Sequence, residues 1–182
     1  MRRRQPLPRL WLMTDERQGD ALWAALERLP RGAGVVFRHY GLPRPERRAL
    51  FERVRRLCRR RRLVLLAAGE KLGQADGGHR LKQRRAPGLR TAPAHGLAGI
   101  RAAERAGAAL VFLSPVFPTR SHPGARTLGR VRFGLIARQA DVPVIALGGM
   151  DESRARTLPG AYGWAAIDAW SAPVQKRKAV PR

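Results

Sequence analysis

The sequence predicts an α/β fold and, within that class, a shortened (β/α)8 barrel of the TIM type. Eight strand candidates, most of them short apolar runs, alternate along much of the chain with segments of helical periodicity, which is typical of a parallel α/β fold. Polar or glycine-rich residues follow several of these runs, as they do at the carboxyl ends of barrel strands, where ligands bind. With 182 residues, the chain is long enough for one domain but short for a complete eight-unit barrel.

Two apolar runs and the loops that follow them carry most of this prediction. Leu110–Leu113 shows no polar alternation, which indicates a strand buried on both faces, and a Ser-Pro pair ends it. Val144–Leu147 is followed by Gly148 and Gly149, which free main-chain N–H groups to face an anion before a helix that Asp151 caps. A helical pattern lies between the two runs, so the order is that of a βαβ unit.

The remaining elements follow in chain order. Strands are predicted at 10–14, 35–37, 63–67, 76–79, 88–92 and 162–169, and helices at 20–29, 45–62, 97–106, 131–140 and 151–158. The intervals 68–75 and 80–88 are too short for full helices, so the helices after the third and fourth strands are predicted to be truncated or missing. Such an opening would uncover one flank of the barrel, and a homodimer partner could cover it.

The predicted domain organisation is simple. Residues 1–9 form a basic extension, residues 10–171 a single barrel domain, and residues 172–182 a polar tail.

No run approaches the roughly 20 apolar residues of a membrane span, so no membrane partner is expected. Cys58 is the only cysteine, which excludes an internal disulfide and favours a reducing, cytoplasmic location.

The charge balance raises the question of a polyanionic partner. The formal net charge is +24, from 37 Lys+Arg against 13 Asp+Glu, and arginine is spread along the whole chain. We interpret this excess as solvated arginine on outer helices, and we therefore do not expect nucleic acid as a partner. The predicted outer face of the second helix includes Arg47, Arg48, Arg55, Arg56 and Arg59, and a protein that binds polyanions through this face stays open as an alternative.

Six segments together resemble the thiamine phosphate synthase and TenI family, in the family's order and approximate spacing, over about residues 10–170. They are Leu-Trp-Leu-Met-Thr-Asp at 10–15, Val-Val-Phe-Arg at 35–38, Ala-Asp-Gly-Gly-His at 75–79, Ser-Pro-Val-Phe-Pro-Thr-Arg-Ser at 114–121, Val-Pro-Val-Ile-Ala-Leu-Gly-Gly-Met at 142–150 and Ala-Tyr-Gly-Trp-Ala-Ala-Ile at 161–167.

This resemblance implies a reaction and a set of ligand contacts. The family synthase joins a hydroxymethylpyrimidine diphosphate to a thiazole phosphate with Mg²⁺ and releases pyrophosphate, which requires cations around the leaving group. Arg38 matches the family's arginine on the pyrophosphate side. The resemblance implies that the substrate phosphate is bound by Thr119, Ser121, Gly148 and Gly149. His122 stands where the family has a lysine and is a further candidate for the phosphate, with contact to solvent alone as the alternative.

Several positions depart from the family pattern. Ala68 and Gly69 stand where the resemblance implies an Asn-Asp pair, and no aspartate follows His79, so the carboxylates expected to hold Mg²⁺ are absent and no metal ligand is assigned. His39-Tyr40 replaces an acid and a lysine. Asp168 replaces a serine after the last strand, where a carboxylate would repel a phosphate unless it pairs with an arginine.

The TenI branch of the family implies a different chemistry. TenI is a metal-free aminothiazole tautomerase in which a histidine after the fifth strand moves a proton, and His95 falls at that place as the candidate catalytic residue. The alternative is that His95 only caps or hydrogen-bonds the helix beginning at Leu97, and His79 is predicted to be structural. The leading hypothesis is therefore a synthase-like protein with a degraded metal side, against a TenI-like tautomerase or an inactive paralogue.

Overall fold

Eight parallel strands close into a barrel, as the sequence predicts. The computed structural model describes residues 6–70, 72–80, 87–121 and 123–171. Each strand pairs with the next in sequence, and the last pairs with the first. The strands are β1 Leu10–Met13, β2 Gly34–Phe37, β3 Val64–Ala68, β4 Gly77–His79, β5 Leu89–Ala94, β6 Leu110–Leu113, β7 Val144–Leu147 and β8 Gly163–Ala166.

The helices surround this barrel unevenly. They are α1 Ala21–Arg28, α2 Arg44–Arg61, α3 Leu97–Arg105, α4 Gly129–Ala137, α5 Glu152–Ala155 and α6 Asp168–Ser171. The described residues between β3 and β4 form no helix, in agreement with the predicted truncation after the third strand, whereas residues 81–86, between β4 and β5, lie outside the described part of the chain. None of the helices in the described part of the chain has both the length and the apolar character needed to cross a bilayer.

The prediction of a strand over 162–169 is wrong in its second half. Strand β8 ends at Ala166, the last residue that pairs with β1, and Asp168 begins the short helix α6. The chain turns here because Trp170 packs back against the barrel. Its ring stacks on Trp164 with centroids 4.9 Å apart, and its indole N–H donates to the Trp11 carbonyl at 2.9 Å.

The barrel interior is filled by alternate residues of the strands, dominated by two aromatic rings. Trp11 meets the edge of Phe112 with centroids 5.2 Å apart, and both side chains are fully buried. A Cβ on Gly34 would lie 2.1 Å from the Trp11 ring, so only glycine fits beside it. The Trp11 indole N–H donates to the Pro8 carbonyl, and the Tyr162 hydroxyl donates to the Leu7 carbonyl, both at 2.8 Å. These contacts close the amino end of the barrel.

The prediction that Arg47 lies on the outer face of α2 is also wrong. Arg47 is 6% exposed, and its guanidinium donates to the carbonyl of Arg38 after β2 and to the carbonyl of Ala68 at the end of β3, each at 2.8 Å. It therefore joins α2 to the carboxyl ends of two strands. Arg61, at the other end of the helix, similarly donates to the Leu29 carbonyl at 3.0 Å.

Cys58 lies on the buried stripe of α2, and its thiol is expected to be unreactive in the folded protein. The residue is 1% exposed, and burial, with a smaller contribution from the charge of Asp76, raises its pKa to about 12. Since the thiolate is the reactive form, a disulfide reagent at pH 8 should label it very slowly. Labelling in denaturant should reach one thiol per chain within minutes. Rapid labelling of the native protein would contradict the packing of α2.

Candidate active site

Polar residues gather at the carboxyl end of the barrel, on the loops that follow the strands. Because all eight strands are parallel, these loops share one rim, which we call the mouth. The mouth is built from Thr14, Asp15 and Arg17 after β1, Arg38 and His39 after β2, His95 after β5, Thr119, Arg120 and Ser121 after β6, Gly148 and Gly149 after β7, and Asp168 after β8.

Arg38 reaches back to β1 and forms an ion pair there. Its Nε donates to the Thr14 carbonyl at 2.9 Å, and its Nη2 lies 2.6 Å from Asp15 Oδ2. Partial burial alone would raise the pKa of Asp15, but hydrogen bonds from Arg17 and the charge of Arg38 outweigh it, so the pKa is below its usual value. Asp15 is therefore ionised at neutral pH, and an anionic ligand must compete with it for Arg38.

His39 is held in place as a neutral group. It is 5% exposed, has φ +39°, and stacks on Phe37 with centroids 4.9 Å apart. The Thr14 hydroxyl accepts the Arg38 backbone N–H at 3.0 Å and lies 2.9 Å from His39 Nδ1. Burial lowers the pKa of His39, against the smaller opposing effects of Glu16 and Asp15. His39 therefore supplies no fixed positive charge where the resemblance implies a lysine nearby.

The loop after β6 packs directly on the glycine turn after β7. The Phe117 N–H donates to the Gly148 carbonyl at 3.1 Å, and a Cβ on Gly149 would lie 2.4 Å from the Pro118 carbonyl oxygen. Gly148 and Gly149 have φ of +94° and +60°, conformations that glycine adopts without strain. The structure thus brings together the two loops in which the sequence predicts phosphate contacts.

The hydroxyl groups of the β6 loop face each other. Thr119 Oγ1 and Ser121 Oγ are 3.0 Å apart, and the Ser121 N–H donates to Thr119 Oγ1 at 3.4 Å. Both side chains are partly exposed, so they can turn toward a ligand. The phosphate-binding roles of these residues remain predictions. His122, which the sequence also places in this loop, lies outside the described residues.

His95 turns toward the β6 loop. Its Nδ1 lies 2.8 Å from the Ser114 carbonyl oxygen. Since a carbonyl only accepts, Nδ1 carries the hydrogen, and in the neutral ring Nε2 keeps its lone pair. The N-cap of α3 is Gly96, and the His95 ring bonds the loop after β6 instead of this helix, so the alternative that His95 caps or hydrogen-bonds the helix is wrong. The side chain is exposed at the mouth, which leaves Nε2 accessible as an acceptor for a proton.

His79 lies inside the barrel below the mouth. Its Nδ1 is 2.9 Å from the Thr91 hydroxyl, and its ring packs against the edge of Phe112 with centroids 4.9 Å apart. Burial, with a smaller contribution from the charge of Arg38, lowers its pKa to about 3. These contacts fit the predicted structural role.

Asp168 does not face the glycine turn as an unpaired charge. Arg120 contacts both of its carboxylate oxygens, each at 3.2 Å. The condition set by the sequence, that this carboxylate pairs with an arginine, is therefore met. Sequence reasoning assigned no role to Arg120 or Asp15, although Arg120 stands between two predicted phosphate ligands and Asp15 directly follows a predicted strand.

The residues at the mouth do not fit the Mg²⁺ ion that the family resemblance implies. The described residues contain no group of three or more His, Cys, Asp or Glu side chains that could hold a metal ion. Ala68 and Gly69 offer no side-chain oxygen at the end of β3, and the carboxylates of Asp15 and Asp168 are each paired with arginine. Magnesium prefers several oxygen ligands including carboxylates, which this donor set does not supply.

A closed (β/α)8 barrel with polar loops at the carboxyl ends of its strands defines a class of proteins that bind small ligands at that end. Within this class, residues 10–170 match the model of the thiamine monophosphate synthase family, and the chain belongs to that family.

Individual relatives agree with this assignment. The chain is 33% identical to "Putative thiamine-phosphate synthase 2" of Aquifex aeolicus, over 88% of the chain and 96% of the relative. It is 28% identical to "Thiamine-phosphate synthase" of Pyrococcus furiosus, over 94% of the chain and 90% of the relative. The solved structure of a thiamine phosphate pyrophosphorylase from Pyrococcus furiosus superposes with a TM-score of 0.74 at 23% identity, over 91% of this chain and 88% of the other.

Proposed function

We propose that this protein of thiamine biosynthesis binds a thiazole phosphate at the mouth and moves a proton on that ring without a metal ion, as a TenI-like tautomerase. The family match supports the pathway and a phosphorylated ligand. The poor fit of the mouth to Mg²⁺ supports a metal-free reaction over the metal-dependent transfer.

The observation that carries this proposal is the hydrogen bond from His95 Nδ1 to the Ser114 carbonyl. It fixes the neutral tautomer and leaves Nε2 free to take a proton from the bound ring and return it to another ring atom, with no net change in composition. A histidine is suited to both steps near neutral pH.

His95 is also well placed relative to the predicted phosphate contacts. The Ser114 carbonyl to which it donates is followed by Pro115, and a Cβ on Gly148 would lie 2.8 Å from Pro115 Cα. The proton-transfer group and the glycine turn therefore border the same short segment. A phosphate held by Gly148, Gly149, Thr119 and Ser121 would present its attached ring close to His95.

The second candidate is the synthase reaction, which the names of the relatives and the presence of Arg38 favour. In this chain the charge of Arg38 is already paired with Asp15, so less of it is available to a diphosphate. The polyanion-binding alternative stays a prediction that filter binding at physiological salt would test.

Replacing His95 by alanine tests the leading proposal. We expect the tautomerisation rate of the purified protein to fall by about 100-fold or more, the usual contribution of general acid–base catalysis. The dissociation constant for thiazole phosphate, measured by calorimetry, should change less than about twofold, because His95 is not proposed to bind the phosphate. Unchanged turnover in this variant would exclude His95 as the proton carrier.

A parallel assay separates the two candidates. Wild-type protein is incubated with hydroxymethylpyrimidine diphosphate, thiazole phosphate and Mg²⁺, and thiamine phosphate is measured by chromatography. We expect at most trace product that does not depend on Mg²⁺. Efficient Mg²⁺-dependent turnover would show that the synthase interpretation is right and that a metal site forms with groups contributed by the substrate.

A further inference from the structure

The ion pair between Arg120 and Asp168 links two loops at the mouth that are far apart in sequence. Arg120 Nε and Nη2 each lie 3.2 Å from an oxygen of Asp168, so one guanidinium faces one carboxylate with two contacts. Arg17, on the loop after β1, is close enough for its pKa to be raised, chiefly by its hydrogen bond to Asp15 and in smaller part by the charge of Asp168.

Arg120 is the cation of the predicted phosphate loop. Its neighbours Thr119 and Ser121 have hydroxyl oxygens 3.0 Å apart, and the preceding Pro118 rests on Gly149. Hydroxyls, glycine N–H groups and one arginine are the usual partners of a phosphate group. The carboxylate of Asp168 therefore contacts Arg120 as a substrate phosphate would.

The pair is also weak enough to open. Arg120 is 79% exposed and Asp168 45% exposed, and an ion pair between such side chains contributes little to stability because water and salt screen it. A phosphate dianion carries more charge than a carboxylate and can gain contacts from the adjacent hydroxyls.

We propose that Asp168 is a specificity-determining residue that occupies Arg120 in the ligand-free protein, so that a phosphomonoester gains this arginine only by displacing the carboxylate. This inference rests on the proposed function, because it assumes that the β6 loop binds the substrate phosphate. It goes further by naming an internal competitor. The Asp168 carboxylate weakens the binding of every anionic ligand. A ligand with less charge or fewer acceptor oxygens than a phosphomonoester is least able to displace this carboxylate.

Asp168→Asn tests the proposal by calorimetric titration at low ionic strength. We expect hydroxyethylthiazole phosphate to bind about two- to fivefold more tightly to this variant, since the competing charge is lost. The unphosphorylated hydroxyethylthiazole should bind both proteins equally. No gain for the phosphorylated ligand, or an equal gain for both ligands, would overturn the proposal.

Two further variants make the result specific to this ion pair. Asp141→Asn removes the same charge from another exposed carboxylate, which pairs with Arg101 at 2.7 Å near the amino end of β7, and should leave phosphate binding unchanged. In an Arg120→Gln background, Asp168→Asn should no longer raise the affinity. A gain that persists without Arg120, or that Asp141→Asn reproduces, would show a general charge effect and overturn the proposal.

Inorganic phosphate separates this inference from the proposed function. If hydroxyethylthiazole phosphate does not bind but inorganic phosphate binds more tightly to Asp168→Asn, the assumed ligand is wrong while the competition by Asp168 stands. If neither phosphate nor its ester binds to any of these proteins, the role assigned to Asp168 is wrong as well.

Discussion

Replacing Gly77 by alanine should destabilise the barrel by about 3 kcal/mol or more. A Cβ at this position would lie 1.9 Å from the carbonyl oxygen and 2.6 Å from the nitrogen of Leu89, the residue with which Gly77 pairs in the neighbouring strand. The obstacle is backbone, so a change of side-chain rotamer cannot relieve it. Guanidinium denaturation followed by circular dichroism measures the loss as a fall in the midpoint.

Strand β4 has little freedom to move away from the added methyl group. It has three residues and pairs on both sides, and the Asp76 carboxylate before it accepts the Leu65 N–H at 2.8 Å. Gly41→Ala is the matched control, because the nearest atom to its Cβ, Oε1 of Glu16, is 3.6 Å away. This control should stay within about 1 kcal/mol of wild type. Similar losses in both variants would show that the packing at β4 is not the cause.

Acidification should destabilise the protein because its buried histidines bind protons mainly after unfolding. His79 has a pKa of about 3 in the folded state, against about 6.5 in an unfolded chain. Between these values the unfolded state binds more protons, so the free energy of unfolding rises with pH, by up to about 1.4 kcal/mol per unit. Moving from pH 7 to pH 5 should therefore cost about 2 kcal/mol from His79 alone, and the lowered pKa of His39 adds in the same direction.

His79→Asn isolates this effect. Asparagine can keep a hydrogen bond to Thr91 but does not titrate, so the variant should lose much of the pH dependence even if its stability at pH 7 is lower. The carboxylates with lowered pKa values, Asp15, Glu104 and Asp151, have ordinary pKa values at or below 4.5 and therefore act mainly below pH 5. Chemical denaturation at pH 5, 6 and 7 gives the slope. An equal slope in both proteins would assign the acid sensitivity to other groups.

The strands were predictable because the barrel buries them on both faces. Continuous apolar runs such as Leu110–Leu113 and Val144–Leu147 give a local signal that tertiary contacts only reinforce, and the glycine pair after the second run marks a turn that needs positive φ. Even the three-residue strand Gly77–His79 was found from its sequence. The end of β8 was missed because Trp170 turns the chain back, and an aromatic contact of that kind leaves no periodic pattern.

The contacts at the mouth were less predictable because the partners of long polar side chains depend on how the fold arranges the loops in three dimensions. Sequence placed Arg38 and Asp168 at strand ends, but not the carboxylate or guanidinium that each contacts. Arg47 is a different case, since a local signal was present. It stands four residues before Phe51 and seven before Val54, on the apolar stripe of α2, and was assigned to the outer face on its charge alone. The direction of the His95 ring likewise depends on a backbone carbonyl in the loop after β6, which is distant in sequence.

The buried contacts of Arg47 limit the exchange of arginine for lysine in this chain. The planar guanidinium spans two carbonyl oxygens, one just after β2 and one at the end of β3, whereas the compact ammonium of a lysine on a flexible stem does not reproduce that fork. Exchanging every arginine for lysine would preserve the net charge of +24 yet weaken the rim where α2 meets β2 and β3. Part of the arginine excess therefore forms structural contacts between neighbouring elements of the barrel.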